Sequence, residues 1–177
     1  MDLQGEKLVI RNFTEADEKE FYKLMSSKKN HDTAGLEYST DQNFVKKVFS
    51  QYLALANTYA IALKSNSQMV GIIELNERGI SNGLDKTREI GFIISEEYRH
   101  LGYAQEAISL LLDYGFNTLH LTEVWASVKL HNLIPQTLLT QLGFKYIYQA
   151  NQDPFLSDDD DEILKYYLLK NEQNADE

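Results

Sequence analysis

Between Thr87 and Lys129 the chain runs through an apolar β-rich segment, a short glycine-containing turn, an amphipathic helical segment and a second β-rich segment. Strands joined in this way require a parallel crossover, because a tight hairpin can only join antiparallel neighbours. The junction inside this unit is equally restrictive. Arg99-His100-Leu101-Gly102-Tyr103-Ala104 lies between the run Ile90-Gly91-Phe92-Ile93-Ile94 and a helical stretch, Gln105 to Phe116. Small or apolar residues at Ala104, Ala107, Ile108, Leu111, Leu112 and Gly115 follow the i, i+3, i+4, i+7, i+8, i+11 pattern of one helix face. A turn that opens directly into a helix exposes N–H groups with no internal partner at the positive end of the macrodipole. It is therefore a natural seat for a phosphate-bearing cofactor.

The flanking sequence completes a mixed sheet. Lys7 to Arg11 reads as a strand, and Thr14 with Glu15 and Asp17 supplies a cap and first-turn acids for a helix carrying Phe21, Leu24 and Met25, which ends in the polar stretch Ser26 to Thr33. Phe44, Val45, Val48, Phe49, Tyr52 and Leu53 predict a second helix over 41–56. Thr58 to Leu63 and Met69 to Leu75 form a predicted hairpin across a polar turn at 64–68, and a polar loop with Gly79 and Gly83 leads into the strand Thr87 to Ser95. Glu123 to Lys129 is a further strand, Asn132 and Gly143 bracket a helix with Pro135 in its first turn, and Phe144 to Tyr148 and Glu162 to Leu169 are the last two strands. The expected fold is α/β, with a mixed, mostly antiparallel sheet of about seven strands and about four helices on both faces.

Composition bounds the setting. A chain of 177 residues with 43% hydrophobic content suits one domain, expected over 1–170, with an acidic tail at 171–177 expected to fray. There is no cysteine, so thiolate chemistry, disulfides and Cys-based metal sites are excluded, and the four histidines show no ligand spacing. A net charge of −10, from 27 acidic against 17 basic residues, disfavours nucleic acid and favours a cationic partner. No apolar run suggests a signal core or a membrane span, so a cytoplasmic protein, monomer or homodimer, is the expectation.

Arg99-x-x-Gly102-x-Ala104 between a strand and a helix, within this element order, resembles the GNAT superfamily of acyl-CoA-dependent N-acetyltransferases. Glu89-Ile90-Gly91-Phe92, Glu106-Ala107, and Asn132 followed by Gly143-Phe144 resemble its RimJ/RimL-like branch, as does the opening Glu6 to Arg11. The resemblance implies that backbone N–H groups of Arg99, His100, Leu101, Gly102, Tyr103 and Ala104 cradle the pyrophosphate of acetyl-CoA. It further implies that Ile93 and Ile94 hydrogen-bond the pantetheine arm, that Asn132 faces that arm, and that the two central strands splay to admit it.

Acetyl transfer needs a neutral amine, donors aimed at the developing oxyanion, and a proton for the departing thiolate. Glu89 is the first candidate base, with pairing to Arg88 or Lys86 as its structural alternative, and Glu74 is the second. Asn132 is a further candidate for a catalytic contact. The hydroxyls that relatives of this kind place on the helix after Asn132 are replaced here by Leu139 and Pro135. His100 and His131 flank the expected cofactor channel and read as hydrogen-bonding residues, Tyr103 as packing, and His31 as a loop residue near the acceptor. The acidic run Asp158 to Glu162 would draw in a cationic amine if it borders the acceptor entrance. Two functions stand at this point: an N-acetyltransferase acting on a protein N-terminus, polyamine or other small primary amine, or a catalytically silent acyl-CoA-binding module.

Overall fold

The computed structural model describes residues 1–79, 84–151 and 163–171. Gly83, the acidic run Asp158 to Glu162 and residues 172–177 lie outside the described residues. The elements in chain order are β1 (Asp2–Gln4), β2 (Leu8–Arg11), α1 (Glu18–Met25), α2 (Lys28–Ala34), α3 (Gln42–Tyr52), β3 (Thr58–Leu63), β4 (Met69–Glu77), β5 (Thr87–Ile94), α4 (Tyr103–Asn117), β6 (Glu123–Lys129), α5 (Leu133–Gln141), β7 (Lys145–Asn151) and β8 (Ile163–Lys170). The strands form one mixed sheet in the order β1-β2-β3-β4-β5-β6-β8-β7. Its one parallel ladder among the described pairings joins β5 to β6, from Thr87 opposite Glu123 to Ile90 opposite Ala126, as the crossover demands. The fold is the expected class, with β1 and α2 as short additions. No helix among the described residues is long and apolar enough to cross a membrane.

The chain divides into two compact units. The first comprises Met1–Leu75 and Phe92–Leu111. Its core gathers Phe13, Phe21, Leu24, Met25, Val45, Phe49, Met69, Ile72 and Ile93, all buried. Phe21 is central: its ring lies 5.1 Å from Phe49 and 4.7 Å from Tyr52, so the apolar stripes of α1 and α3 meet on it. Asp41 caps α3 by accepting from the N–H groups of Asn43 (2.8 Å) and Phe44 (3.0 Å). The polar stretch after α1, expected as a loop, forms α2 instead. Ser27 caps it, Gly35 closes it at φ +69°, and the buried Asn30 side chain donates to the Leu24 carbonyl at 3.0 Å. Tertiary hydrogen bonding thus replaces the apolar stripe that this seven-residue helix lacks.

At the start of α1, Asp17 is buried and accepts a bidentate pair from Arg11, at 2.7 and 2.9 Å, and a third bond from the Thr14 N–H at 2.8 Å. Burial alone would raise its pKa; the Arg11 and Thr14 hydrogen bonds outweigh that and hold the carboxyl below its ordinary range. A depressed folded pKa contributes stability above the unfolded value, and that contribution disappears as pH falls through the folded one. Asp17→Asn should therefore destabilise by about 1–3 kcal/mol, read as a fall in Tm of roughly 3–10 °C at pH 7. The gap between variant and parent should close in acid.

The second unit comprises Asn76–Gly91 and Leu112–Glu177. Within it β6 pairs along its length with β8, from Glu123 opposite Lys170 to Lys129 opposite Leu164, and β7 pairs with the other edge of β8. Gln136 on α5 ties this sheet to its helix. Its side chain is buried, donates to the carbonyls of Lys129 (3.1 Å) and Leu130 (2.8 Å), and accepts from Lys165 and Tyr167, each at 3.3 Å. Leu139, one turn on, is fully buried and serves the core.

Candidate functional site

The segment between β5 and α4 is built from inside the first unit. After Ile94 a short 3-10 turn, Glu96–Tyr98, leads to Arg99, whose side chain folds back onto the fold. Its Nε donates to the Ile94 carbonyl at 3.0 Å and its Nη2 to Asn30 Oδ1 at 2.6 Å. The first residue of the signature thus braces the loop with its guanidinium, through a partner on the helix that the sequence pattern did not reveal. His100 and Gly102 both take left-handed backbone conformations, φ +61° and +80°. No atom lies within 4 Å of where a Cβ on Gly102 would sit, so the turn is open on that side.

The Gly102 carbonyl accepts from the Glu106 N–H at 3.1 Å, the first bond of a 15-residue helix. The N–H groups of Tyr103, Ala104 and Gln105 come before that bond and are the orphan donors of the helix start. His100, Leu101 and Gly102 are exposed, and Tyr103 and Ala104 half-buried. Further along α4, Glu106 Oε1 accepts from the backbone N–H groups of Lys7 (2.8 Å) and Leu8 (3.0 Å), and leaves no room for a Cβ at Gly5. The helix that starts at the turn is therefore pinned to β2.

Ile93 and Ile94 end β5 with buried side chains. Beyond them the Ser95 N–H donates to the Val70 carbonyl at 2.8 Å, and a Cβ at Gly71 would strike the Ile93 carbonyl. Asn30→Ala removes both the Leu24 and Arg99 contacts. It should lower Tm by roughly 3–10 °C, the equivalent of about 1–3 kcal/mol for buried polar partners left unpaired.

In the second unit Glu89 does not pair with Arg88 or Lys86. Arg88 instead donates to the carbonyls of Asp85 and Thr87 and reaches Glu77 at 3.4 Å. Glu89 Oε1 accepts from Ser127 Oγ at 2.7 Å, and its Oε2 lies 3.9 Å from Arg78 Nε. The Arg78 guanidinium lies 4.2 Å from the centroid of the Trp125 ring. Tyr148 stands 6.3 Å from Trp125 and stacks on Tyr166 at 4.6 Å. Burial, then Glu89 and Tyr148, push the Tyr166 phenol up, and Arg78 opposes them.

Arg78, Trp125, Ser127, Tyr148 and Tyr166 were not singled out as site residues from sequence. Register could have grouped four of them, because Glu89 stands opposite Trp125, and Tyr166 pairs with both Ser127 and Tyr148. Asn132 is the N-cap residue of α5, beside the exposed His131. Glu74 sits in the first unit opposite Thr58, where with Glu37 it adds to the effect of burial in raising the Tyr52 phenol. His31, part of α2, donates through Nδ1 to the Leu36 carbonyl, 2.9 Å away.

A family model described as an acetyltransferase (GNAT) domain matches residues 7–145. The chain belongs to the GNAT acetyltransferase family. Acetyl-CoA is the acyl donor of this family. An uncharacterized N-acetyltransferase, p20, of Bacillus licheniformis is 32% identical over 90 residues, covering 51% of this chain and 49% of that protein. YoaA, an uncharacterized N-acetyltransferase of Bacillus subtilis, is 25% identical and covers 86% of this chain and 91% of its own. Among solved structures, spermidine N-acetyltransferase from Vibrio cholerae, in complex with CoA and spermine, superposes with a TM-score of 0.76 at 18% identity, over 95% of this chain and 98% of that one. The turn at Arg99–Ala104 fits the donor of this family. A phosphate can approach the backbone where Gly102 carries no side chain, and the helix start offers it N–H groups and positive potential.

Proposed function

We propose that the protein is an acetyl-CoA-dependent N-acetyltransferase of the RimJ/RimL-like branch, acting on a primary amine by direct attack on the thioester. The observation that carries this reading is the open, left-handed Gly102 immediately ahead of α4, in a loop whose Arg99 side chain is already committed to Ile94 and Asn30. With that side chain engaged, the loop meets the pyrophosphate through its backbone, from Arg99 to Ala104. The main chain at Ile93 and Ile94 holds the pantetheine arm. Acetyl-CoA supplies an activated acyl group.

Glu89 is the base that takes a proton from the incoming ammonium. The Ser127 hydroxyl, donating at 2.7 Å, orients its carboxylate and leaves the second oxygen toward Arg78. Leu139, fully buried, supplies no acid, so the thiolate takes its proton from water. The named activities of relatives, among them a spermidine N(1)-acetyltransferase of Vibrio cholerae 24% identical over 106 residues, support an amine acceptor. The alternative is a silent acyl-CoA-binding module, favoured by that buried Leu139. A thiol-release assay with acetyl-CoA and a panel of amino acids, N-terminal peptides, polyamines and aminoglycosides separates the two. Steady CoA release with any of them is expected. Stabilisation by acetyl-CoA with no release above hydrolysis would select the silent module.

A further inference from the structure

Arg78 is placed oddly for a structural residue. Its Nη1 is buried and has no hydrogen-bond partner among the described residues, although the side chain as a whole is about a quarter exposed, at 23%. Its nearest carboxylate among the described residues, Glu89, stands at 3.9 Å, beyond hydrogen-bond reach. A guanidinium resting on an indole is held in plane by the ring, and its donor fork is then fixed in direction. Buried charged donors are ordinarily satisfied, and an exception calls for an explanation, one being a bound group that supplies the acceptor. A planar donor pair of this kind matches a carboxylate.

We infer that the amine acceptor carries a carboxylate beside its amino group, and that Arg78 binds this carboxylate while Glu89 receives the ammonium. The inference rests on the acetyltransferase reading and narrows its acceptor to α-amino acids and comparably small zwitterions. The spacing agrees: Arg78 Nε and Glu89 Oε2 are 3.9 Å apart, and the bond lengths and angle at Cα put the amino nitrogen of an α-amino acid about 3 Å from its carboxylate oxygens. The two opposite dipoles then lie side by side. Trp125, Tyr148 and Tyr166 provide apolar surface next to this charge pair. A polyamine fits poorly, because a second cationic group next to the first would meet the Arg78 guanidinium.

Leucine and phenylalanine, each beside its amide and its decarboxylated amine, with spermidine as a further acceptor, form the test set. The full chain should favour each free acid over its amide and amine by about a hundredfold in kcat/KM, the scale expected when a hydrogen-bonded charge pair loses one partner. In Arg78→Gln that preference should collapse to within a few fold, with turnover of the decarboxylated amines retained. Trp125, the only tryptophan, gives an independent readout: leucine should change its emission saturably, and 3-methylbutylamine should not. If Arg78→Gln does not fold, the acceptor comparison and the Trp125 titration on the parent protein decide. Turnover of spermidine or the simple amines as good as that of the acids would remove the carboxylate assignment and leave N-acetyl transfer standing. An equal loss for acids and amines in Arg78→Gln would make Arg78 only a positioning residue for Glu89. No CoA release with any acceptor would remove both readings.

Discussion

Replacing Gly102 with glutamate should abolish useful binding of acetyl-CoA while leaving a folded protein. Two effects combine at this position, and they can be separated. The backbone angle of +80° costs any residue with a Cβ about 1–2 kcal/mol, which is felt as stability and loop disorder. The carboxylate then adds like-charge repulsion against a pyrophosphate, worth several kcal/mol where water is excluded, or a loss of affinity of about a hundredfold or more. Gly102→Ala isolates the first effect, since nothing stands within 4 Å of the new methyl group. The measurement is a titration of acetyl-CoA by calorimetry, with Tm recorded for both variants. Equal affinities for the alanine and glutamate variants would mean that the phosphates do not approach this turn.

Glu89→Gln should lower kcat by about 10²- to 10⁴-fold, the usual worth of a positioned general base. The substitution preserves shape and the acceptor for Ser127, so a collapse of the local structure is not expected. pH dependence distinguishes a base from a merely structural carboxylate. The amino group of a peptide N-terminus has a pKa near 8 and that of a free amino acid or alkylamine a higher one, so solvent increasingly delivers the neutral nucleophile as pH rises through the alkaline range. The deficit of the variant should therefore be largest near neutrality and shrink in alkaline solution. A deficit independent of pH would assign Glu89 to holding Arg78 in place.

The strands Thr58–Leu63 and Glu123–Lys129 were legible to the residue, because apolar runs there are bounded by polar turns and each side chain is dictated by its own neighbours along the strand. The same locality explains what was missed. Residues 28–34 contain Lys, Asn, His, Asp and Thr and no apolar stripe, and α2 is held by contacts to Leu24 and to Arg99, the latter 69 positions away. β1 is three polar and apolar residues that become a strand by pairing with β2. The turn at Arg99–Ala104 could be recognised as a motif, yet the inward commitment of its arginine could not. Glu89 was identifiable as an acid on a central strand. Its neighbours were not, since Ser127 lies 38 residues on and Arg78 reaches it by lying across Trp125.

The bond between Asn30 and Arg99 makes α2 a reporter of events at the turn. Coupling of this kind is reciprocal: whatever orders the loop must also protect the helix, and whatever loosens the helix must cost the loop the same free energy. Amide hydrogen exchange along 28–34 should therefore slow when acetyl-CoA is added. Solvent additives or surface substitutions that change the helicity of this one short helix become a dial on donor affinity, set from the far side of the loop.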